Sequence, residues 1–462
     1  PPPPPPPPPI TSAGHHRDSH AQFRRQRQMC IRDSYQLTII GGGPGGYSAA
    51  FRAAELGMKV AIIDDNDLGG VCLNWGCIPT KALLKNAEVF ELINNASDYG
   101  IEVKKPKIHF DKIIEKTIKA RQRLSKGLHF QVRKHGIDFY PGFATFEGKN
   151  KISIGDINIS SEQFIIATGS SPKKIKDLET SNNVLYAKDI FNLKNLPKRL
   201  TIVGAGAIGI EYAYFFNSFG VDVSLIEAQE NILPNEDQEI SKWVEKVFKR
   251  KKIKIQTGVF AENIDNQTVL VSIGVEGNSK GLGLRKLGME IDDNNHIIVN
   301  KEYQTNIDNI YALGDVIGAP WLAHVSTVEG IFVADYLGGK NPKHINYNSV
   351  PACTYSKPEI ASIGFTEEQI VEKNINFKTA KSFFNSNGKA VATSSTDGFI
   401  KIFVSDSDLI LGAHIVGSNA TEMISEFSLA ITNKLTVTNI LDSIHPHPTF
   451  SEAIFETLMQ FK

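Results

Sequence analysis

Two segments of the chain share one pattern, in which an apolar run ends at a glycine-rich turn and a second strand follows a helix. The first segment, QLTIIGGGPGGYSAA at 36–50, predicts a short strand, a glycine turn and the start of a helix. The run KVAIIDD then predicts a strand that ends at Asp64. The same order returns in RLTIVGAGAIGIEYAYFFNSFGVDVSLIEA, where Glu227 ends the second strand. The repeat predicts two α/β units with parallel sheets flanked by helices.

The glycines of both turns are spaced for binding a dinucleotide. A G-x-G-x-x-G pattern permits a tight turn, a close backbone approach to pyrophosphate and close packing of helix on strand. The glycines are Gly41, Gly43 and Gly46 in the first unit and Gly204, Gly206 and Gly209 in the second. In both units the acid, Asp64 or Glu227, follows the first glycine by 23 residues and is placed for a ribose hydroxyl. One such motif is a weak signal, but two copies with the same distance from glycine to acid predict two dinucleotide-binding sites.

Glu227 also indicates which nicotinamide nucleotide the second site prefers. A carboxylate at this strand end accepts hydrogen bonds from a free 2′-hydroxyl and repels a 2′-phosphate. An NADP site would favour an arginine nearby. The sequence therefore favours NAD.

Composition excludes several classes of protein. The 462 residues carry 50 basic and 50 acidic side chains. This balance gives no indication of a basic surface that would bind nucleic acid or a membrane. No apolar run reaches the length of about 18 residues that predicts a membrane span. Residues 1–34 open with nine prolines and show no periodicity, so we expect a tail that does not belong to the native fold.

The chain has only four cysteines, at positions 30, 72, 77 and 353. So small a number of cysteines favours a protein of a reducing compartment, the cytoplasm, over a secreted protein held together by disulfides. In a regular helix the five residues from Cys72 to Cys77 rise by about 7.5 Å, beyond the Cα separation of about 7 Å that a disulfide tolerates. The neighbouring glycines permit the bend that would join them. Two free buried thiols, a metal site and a structural staple are the alternatives. The chain offers no second cysteine pair for zinc, so a reversible redox disulfide is favoured and no metal is expected.

The segment around the two cysteines resembles a known family. GGVCLNWGCIPTK at 69–81 is similar to the redox-active segment of the flavin-dependent pyridine nucleotide-disulfide oxidoreductases, and FIIATGS at 164–170 and IYALGDV at 310–316 match further motifs of that family. The resemblance implies FAD at the first dinucleotide site and NAD at the second. It also implies that Lys81 lies beside the flavin ring and pairs with Glu211. The further cofactor contacts that it implies are Ala144, Thr168, Gly169, Gly274, Asp315 and Ala323.

The C-terminal stretch DSIHPHPTFSEAIFE predicts an extended run, because Pro446 and Pro448 exclude a regular helix. Thr449 and Glu452 have the spacing of a capping box that starts the last helix. The pattern H-x-H-P-T-x-S-E resembles the family members that oxidise dihydrolipoamide, which implies that His447 is the base that deprotonates the substrate dithiol. By the same resemblance Glu452 orients His447, and the pair serves the disulfide of the other subunit in a homodimer.

The resemblance also implies a reaction and a partner. The substrate thiolate attacks Cys72, Cys77 is left as a thiolate against the flavin, and hydride passes to NAD+. The partner is a lipoyl-bearing domain or protein of a 2-oxo-acid dehydrogenase or glycine-cleavage complex. Two alternatives stay open. One is an NAD(P)H-dependent reductase of another small disulfide such as glutathione, and the other is a nucleotide-binding scaffold subunit without chemistry of its own.

These motifs predict an α/β protein with two Rossmann-like dinucleotide-binding domains and a C-terminal α+β dimerisation domain. The latter is indicated by the strands FIKIFVS and LILGAHIVG and the helix ATEMISEFSLAITN. The boundaries that we predict after the tail at 1–34 are 35–170 for the FAD domain, 171–280 for the NAD domain, 281–346 for a central segment that completes the FAD domain, and 347–462 for the dimerisation domain.

Overall fold

The computed structural model describes residues 33–175, 183–261 and 268–462. Its strands are β1 (Asp33–Ile40), β2 (Val60–Asp64), β3 (Asp138–Pro141), β4 (Thr145–Gly148), β5 (Lys151–Ile154), β6 (Ile157–Ile166), β7 (Ser170–Pro172), β8 (Val184–Leu185), β9 (Arg199–Val203), β10 (Asp222–Ile226), β11 (Lys254–Gln256), β12 (Thr268–Val271), β13 (Val275–Gly277), β14 (Ile310–Ala312), β15 (Ala352–Thr354), β16 (Ile360–Gly364), β17 (Phe377–Phe383), β18 (Phe399–Ser405) and β19 (Ile410–Val416).

Its α-helices are α1 (Pro44–Glu55), α2 (Gly70–Asn74), α3 (Cys77–Asn94), α4 (Phe110–Lys134), α5 (Ala207–Ser218), α6 (Gln238–Arg250), α7 (Ala323–Leu337), α8 (Glu367–Glu372), α9 (Gly388–Ala392), α10 (Ala420–Thr432), α11 (Val437–Leu441) and α12 (Glu452–Leu458). Short 3-10 helices lie at Ala96–Tyr99, Ala187–Asn192, Leu284–Leu287, Gly314–Ile317, Tyr347–Ser349, Phe384–Ser386 and Met459–Phe461. Across the described ranges, we find no helix with the length and apolar character needed to cross a membrane.

The first sheet contains the first glycine turn. Its strand order is β3-β2-β1-β6-β5-β4, and β14 pairs with the end of β6. The pairs of β1 with β2 and β6, of β2 with β3 and of β6 with β14 are parallel, whereas β4, β5 and β6 form an antiparallel meander that we did not predict. Strand β14 returns the chain to this sheet. It lies within the segment 281–346, which we expected to complete the first domain.

The second sheet contains the second glycine turn and is parallel throughout its described strands, in the order β11-β10-β9-β12-β8. Strand β9 is exposed only at its first residue, as expected for a parallel strand covered on both faces. An antiparallel pair, β7 with β13, lies between the chain's exit from the first sheet and its return. The prediction of two dinucleotide-binding α/β units is confirmed.

The C-terminal part forms an antiparallel sheet in the order β15-β16-β19-β18-β17. Strand β18 covers the predicted run FIKIFVS, and α10 covers the predicted helix except its last residue. Helices α10 and α12 bury Phe427 and Ile454 in one apolar cluster with the sheet. The α+β prediction for this part is confirmed.

The start of the fold differs slightly from the predicted boundary. Strand β1 begins at Asp33, because the backbones of Asp33 and Ser34 extend the ladder with β6. The rest of the predicted tail, including Cys30, lies outside the described residues.

A buried ionic cluster joins the second nucleotide unit to the C-terminal sheet. The side chain of Lys401, on β18, donates to Asp237, the residue that caps α6, at 3.1 and 3.2 Å. It also donates to Glu367 at 2.5 Å. Because Lys401 and Asp237 are at most 1% exposed, neither charge has water as an alternative partner, and the cluster fixes α6 against β18.

Candidate active site

The first glycine turn brings backbone rather than side chains to its surface. Gly41 has a φ of +107°, and a Cβ there would overlap the carbonyl oxygen of Ala167. A Cβ at Gly46 would overlap the carbonyl oxygen of Gly41, which shows how closely α1 packs on β1. Gly43 caps α1, so the first free N–H groups of the helix lie at this turn. The turn fits the pyrophosphate of a dinucleotide.

The second glycine turn repeats these constraints. Gly204 has a φ of +98°, and a Cβ there would overlap the carbonyl oxygen of Ser272. A Cβ at Gly209 would overlap the carbonyl oxygen of Gly204. Gly206 caps α5, as Gly43 caps α1. Both predicted turns therefore have the same construction in space.

The acids at the two strand ends hold equivalent hydrogen bonds. The Gly42 N–H donates to Asp64 Oδ2 at 2.6 Å, and the Ala205 N–H donates to Glu227 Oε2 at 2.7 Å. Burial raises the pKa of Asp64, although the backbone N–H groups of Gly42 and Asn66, which donate to its carboxylate, oppose the effect. Each carboxylate is thus fixed beside its glycine turn, where a ribose hydroxyl could reach it.

The two cysteines lie on either side of a helix break. Helix α2 ends at Asn74 and α3 begins at Cys77, with Gly76 between them in a non-helical conformation. The break confirms the predicted bend and brings the two sulfurs into hydrogen-bonding contact as free thiols. The chain can therefore join them without unwinding α3.

The two thiols ionise unequally. The hydrogen bond from Cys72 and the charge of Lys81 lower the pKa of Cys77 from 9.0 to about 7, although burial acts in the opposite direction. The same hydrogen bond, together with burial, raises the pKa of Cys72. The contact therefore favours Cys77 over Cys72 as the thiol that carries the negative charge when the pair loses its first proton.

The predicted pair of Lys81 and Glu211 forms. Lys81 Nζ donates to both carboxylate oxygens of Glu211, at 2.9 and 3.0 Å. Glu211 is 4% exposed, so this bidentate contact compensates a buried carboxylate. Because Lys81 follows Cys77 by one helical turn on α3, its ammonium lies near the dithiol.

Asp315 lies in the 3-10 helix that follows β14. Its Oδ2 accepts a hydrogen bond from the Ser170 hydroxyl at 2.8 Å, and burial raises the pKa of Asp315. The turn before it is held by Glu329, whose Oε2 accepts from the Gly314 N–H at 2.7 Å. Glu329 Oε1 accepts from the Tyr347 hydroxyl at 2.7 Å. This support for Asp315 was not predicted.

The remaining predicted cofactor contacts are distributed around the ends of these strands. Thr168 exchanges two hydrogen bonds with Asn278. Gly169 and Gly274 have positive φ values of 71° and 100° with open space around the position of a Cβ. Ala323 is the first residue of α7. The side chain of Ala144 is buried in the apolar cluster of the first sheet, so only its backbone could contact a cofactor. Their roles toward cofactors stay predictions.

The C-terminal dyad is formed within one short segment. His447 Nδ1 lies 2.8 Å from Glu452 Oε1, and Glu452 Oε2 accepts from the Thr449 N–H at 2.8 Å. These two contacts lower the pKa of Glu452, the backbone bond most. The predicted capping box is wrong, because Ser451 is the N-cap of α12 and the Thr449 hydroxyl donates to the Pro446 carbonyl. The His447 side chain is 77% exposed, which leaves Nε2 open to a group from outside the chain.

Several polar contacts near the site were missed by sequence reasoning. His445 Nε2 lies 3.0 Å from Glu426 Oε1, which anchors the loop that carries His447. His129 Nε2 lies 2.6 Å from Asp67 Oδ1, in the loop before α2. Both contacts join residues of distant or differently folded segments, so no local spacing signalled them.

Cofactor chemistry fits the arrangement of the residues. The two turns exclude a Cβ at their first and third motif glycines and bring helix N-termini to the surface, as two dinucleotides require. A dithiol next to an ammonium can exchange electrons with a disulfide or an adjacent acceptor. Within the part of the chain that the structure describes, no three His, Cys, Asp or Glu side chains are grouped to hold a metal ion.

Comparison with known proteins agrees with this site. Residues 35–330 match the family model described as pyridine nucleotide-disulphide oxidoreductase, and residues 350–458 match that family's dimerisation domain. A dihydrolipoyl dehydrogenase of Zymomonas mobilis is 38% identical, over 93% of this chain and 98% of that protein. One from Bacillus subtilis is 39% identical, over 92% and 97%.

Solved structures show the same architecture. LpdA from Mycobacterium tuberculosis superposes with a TM-score of 0.87 at 24% identity, over 93% of this chain and all of that one. The flavoprotein disulfide reductase RclA from Escherichia coli superposes with a TM-score of 0.85 at 25% identity, with the same coverage.

Proposed function

The chain belongs to the pyridine nucleotide-disulphide oxidoreductase family, and we propose that within it the protein acts as a dihydrolipoyl dehydrogenase that uses FAD and NAD+. The observation that carries this proposal is that one chain holds both a dithiol, in which the pKa of Cys77 is lowered to about 7, and an exposed histidine held by Glu452. The relatives that match over more than nine tenths of the chain carry this enzyme's name.

The reaction starts with the oxidised enzyme, in which Cys72 and Cys77 form a disulfide. His447 Nε2 accepts a proton from one thiol of the lipoyl group, and Glu452 stabilises the resulting imidazolium through Nδ1. The substrate thiolate attacks Cys72 Sγ, which forms a mixed disulfide and releases Cys77 as a thiolate. The second substrate thiol then loses its proton, and its sulfur attacks the substrate sulfur of the mixed disulfide to close the lipoyl ring. Cys72 is the leaving group and takes up a proton as the free thiol.

The chain's other residues then stabilise the reduced dithiol. Cys72 donates its S–H to the Cys77 thiolate, and the Lys81 ammonium adds its positive charge. Bound FAD supplies the acceptor of two electrons that links this dithiol to NAD+. We assign the first glycine turn and Asp315 to FAD, and the second turn and Glu227 to NAD+.

The competing function is reduction of another small disulfide such as glutathione, and turnover distinguishes the two. We expect the protein to oxidise dihydrolipoamide with NAD+ and to reduce glutathione disulfide with NADPH far more slowly. His447→Gln should lower dihydrolipoamide oxidation by about 10²–10⁴-fold, since it removes a general base. Electron transfer from NADH to ferricyanide needs no thiol base and serves as the control. Preference for glutathione disulfide and NADPH would contradict the proposal.

We further propose that His447 serves the dithiol of the partner subunit, since the chain carries the family's dimerisation domain. Mixing the inactive variants Cys72→Ser and His447→Gln after dissociation tests this arrangement. If base and dithiol come from different subunits, each mixed dimer regains one intact site, and random mixing restores about a quarter of the parent activity. If they come from one subunit, mixing restores none.

The lipoyl group would belong to a protein of a 2-oxo-acid dehydrogenase or glycine-cleavage complex, in the cytoplasm. The sparse cysteines support such a reducing compartment. Co-purification with a lipoylated protein, detected with an antibody to the lipoyl group, checks this partner. Failure of the protein to oxidise a purified lipoyl domain would contradict it.

A further inference from the structure

Tyr355 contacts the ion pair of Lys81 and Glu211 in two different ways. Its backbone N–H donates to Glu211 Oε1 at 2.9 Å. Its ring lies under the Lys81 ammonium, with Nζ 4.3 Å from the ring centroid. Tyr355 directly follows β15 of the C-terminal sheet, so these contacts come from a part of the chain remote in sequence from Cys72 and Cys77.

The two contacts restrict both members of the pair. Glu211 Oε1 accepts from Lys81 and from the Tyr355 backbone, so the carboxylate is fixed independently of the lysine. The Lys81 side chain is 33% exposed and its stem is flexible, so the bidentate bond alone would let the ammonium swing toward solvent. An aromatic face attracts a cation most strongly when both are partly desolvated. The ring therefore limits where the positive charge can lie.

The position of that charge matters because the pair acts on the dithiol with opposing signs. The Lys81 ammonium lowers the pKa of Cys77, and the Glu211 carboxylate raises it. The charged or titratable groups that face the dithiol are Cys72, Lys81, Glu211, Tyr47 and Tyr355. Among them Lys81 carries the positive charge, so its displacement would leave the negative neighbours unopposed.

We propose that Tyr355 is a positioning residue that holds the Lys81 ammonium beside the redox dithiol, through its ring, while its backbone N–H holds Glu211. The proposal rests on the redox role assigned above to Cys72 and Cys77. Tyr355 acts through Lys81 and transfers no proton or electron itself. The hydroxyl is not needed for this role, since the ring face makes the contact.

Substitution of the ring tests the proposal in the reduced holoenzyme under anaerobic conditions. The pKa of Cys77 is measured from the ultraviolet absorbance of the thiolate and from the pH dependence of alkylation by iodoacetamide. Tyr355→Leu should raise it by about half a pH unit, so that the ionised fraction at pH 7 falls about twofold. Tyr355→Phe keeps the ring and should match the parent. If Tyr355→Leu does not fold, Tyr355→Met, which also removes the ring, is used for the same measurement.

A double-mutant cycle separates positioning from general loss of structure. In a Lys81→Met background, Tyr355→Leu should cause no further change in the pKa of Cys77, since the charge that it positions is gone. An equal shift in both backgrounds would overturn the proposal. If the pKa of Cys77 in the parent protein is near 9.0, the roles assigned to the dithiol are contradicted as well. If it is near 7 and Tyr355→Leu leaves it unchanged, only the role of Tyr355 is contradicted.

Discussion

Replacing Cys72 tests why Cys77 ionises near neutral pH. Cys72→Ala deletes the S–H that bonds to Cys77, whereas Cys72→Ser keeps a donor, O–H, at the same position. We expect the pKa of Cys77 to rise in the alanine variant and to stay near the parent value in the serine variant. Both variants retain Lys81, so their difference isolates the hydrogen bond.

The structure gives the size of this effect. The contact with Cys72 is the largest influence on the pKa of Cys77, burial opposes it, and the opposing effects of Lys81 and Glu211 follow. Without the contact, burial and the Lys81 charge act against each other, and the pKa should return to about 9. The ionised fraction at pH 7 then falls from about one half to about 1%, or about fiftyfold. The rise of about two pKa units corresponds to about 2.7 kcal/mol, within the range of a hydrogen bond to a charged group.

The assay is a pH titration of thiolate absorbance in protein whose Cys30 is replaced by serine. Cys353 does not interfere, because burial raises its pKa to about 12. In each Cys72 variant, Cys77 is then the single thiol that titrates in the site. In the parent, the titration near pH 7 measures the loss of the first proton from the coupled pair of thiols. An alanine variant that titrates near pH 7 would refute the reasoning, since the charge of Lys81 would then suffice. A serine variant that titrates near pH 9 would refute the role of the donor.

Three further substitutions have expected outcomes. Gly41→Ala should abolish retention of FAD by steric overlap, whereas Gly57→Ala, with a similar φ of +85° but open space, should retain it; flavin absorbance per protein checks both. Glu227→Gln should raise the KM for NAD+ about tenfold and leave that for dihydrolipoamide unchanged, as steady-state kinetics would show. Lys401→Met should lower the free energy of unfolding by about 3–5 kcal/mol in denaturant titration, because Asp237 stays buried without its partner.

Features that depend on neighbouring residues were predicted well. The strand FIKIFVS has the bounds of β18, and both glycine turns have the backbone that their motifs require. The contact of His447 with Glu452 joins residues only five apart, but the resemblance to a family, and not their spacing, predicted it. Resemblance to a family was needed for Lys81 and Glu211, which are 130 residues apart and show no shared local pattern.

Contacts between remote segments could not be predicted from the residues. Nothing in the sequence around Tyr355 indicates that its ring lies against Lys81, and the bond of His445 to Glu426 spans two elements of different type. The unequal ionisation of the two thiols also depends on the bend at Gly76 and on a distant ammonium.

The amino-acid sequence by itself determined the two nucleotide-binding turns, the strands and helices next to them, and the chemical groups available for redox work. These follow from local sterics and hydrophobic periodicity, which act over a few residues. Only the tertiary structure decided which charges face the dithiol and what holds them there. Electrostatic and packing energies depend on distance in space and on burial, and neither is set by separation along the chain.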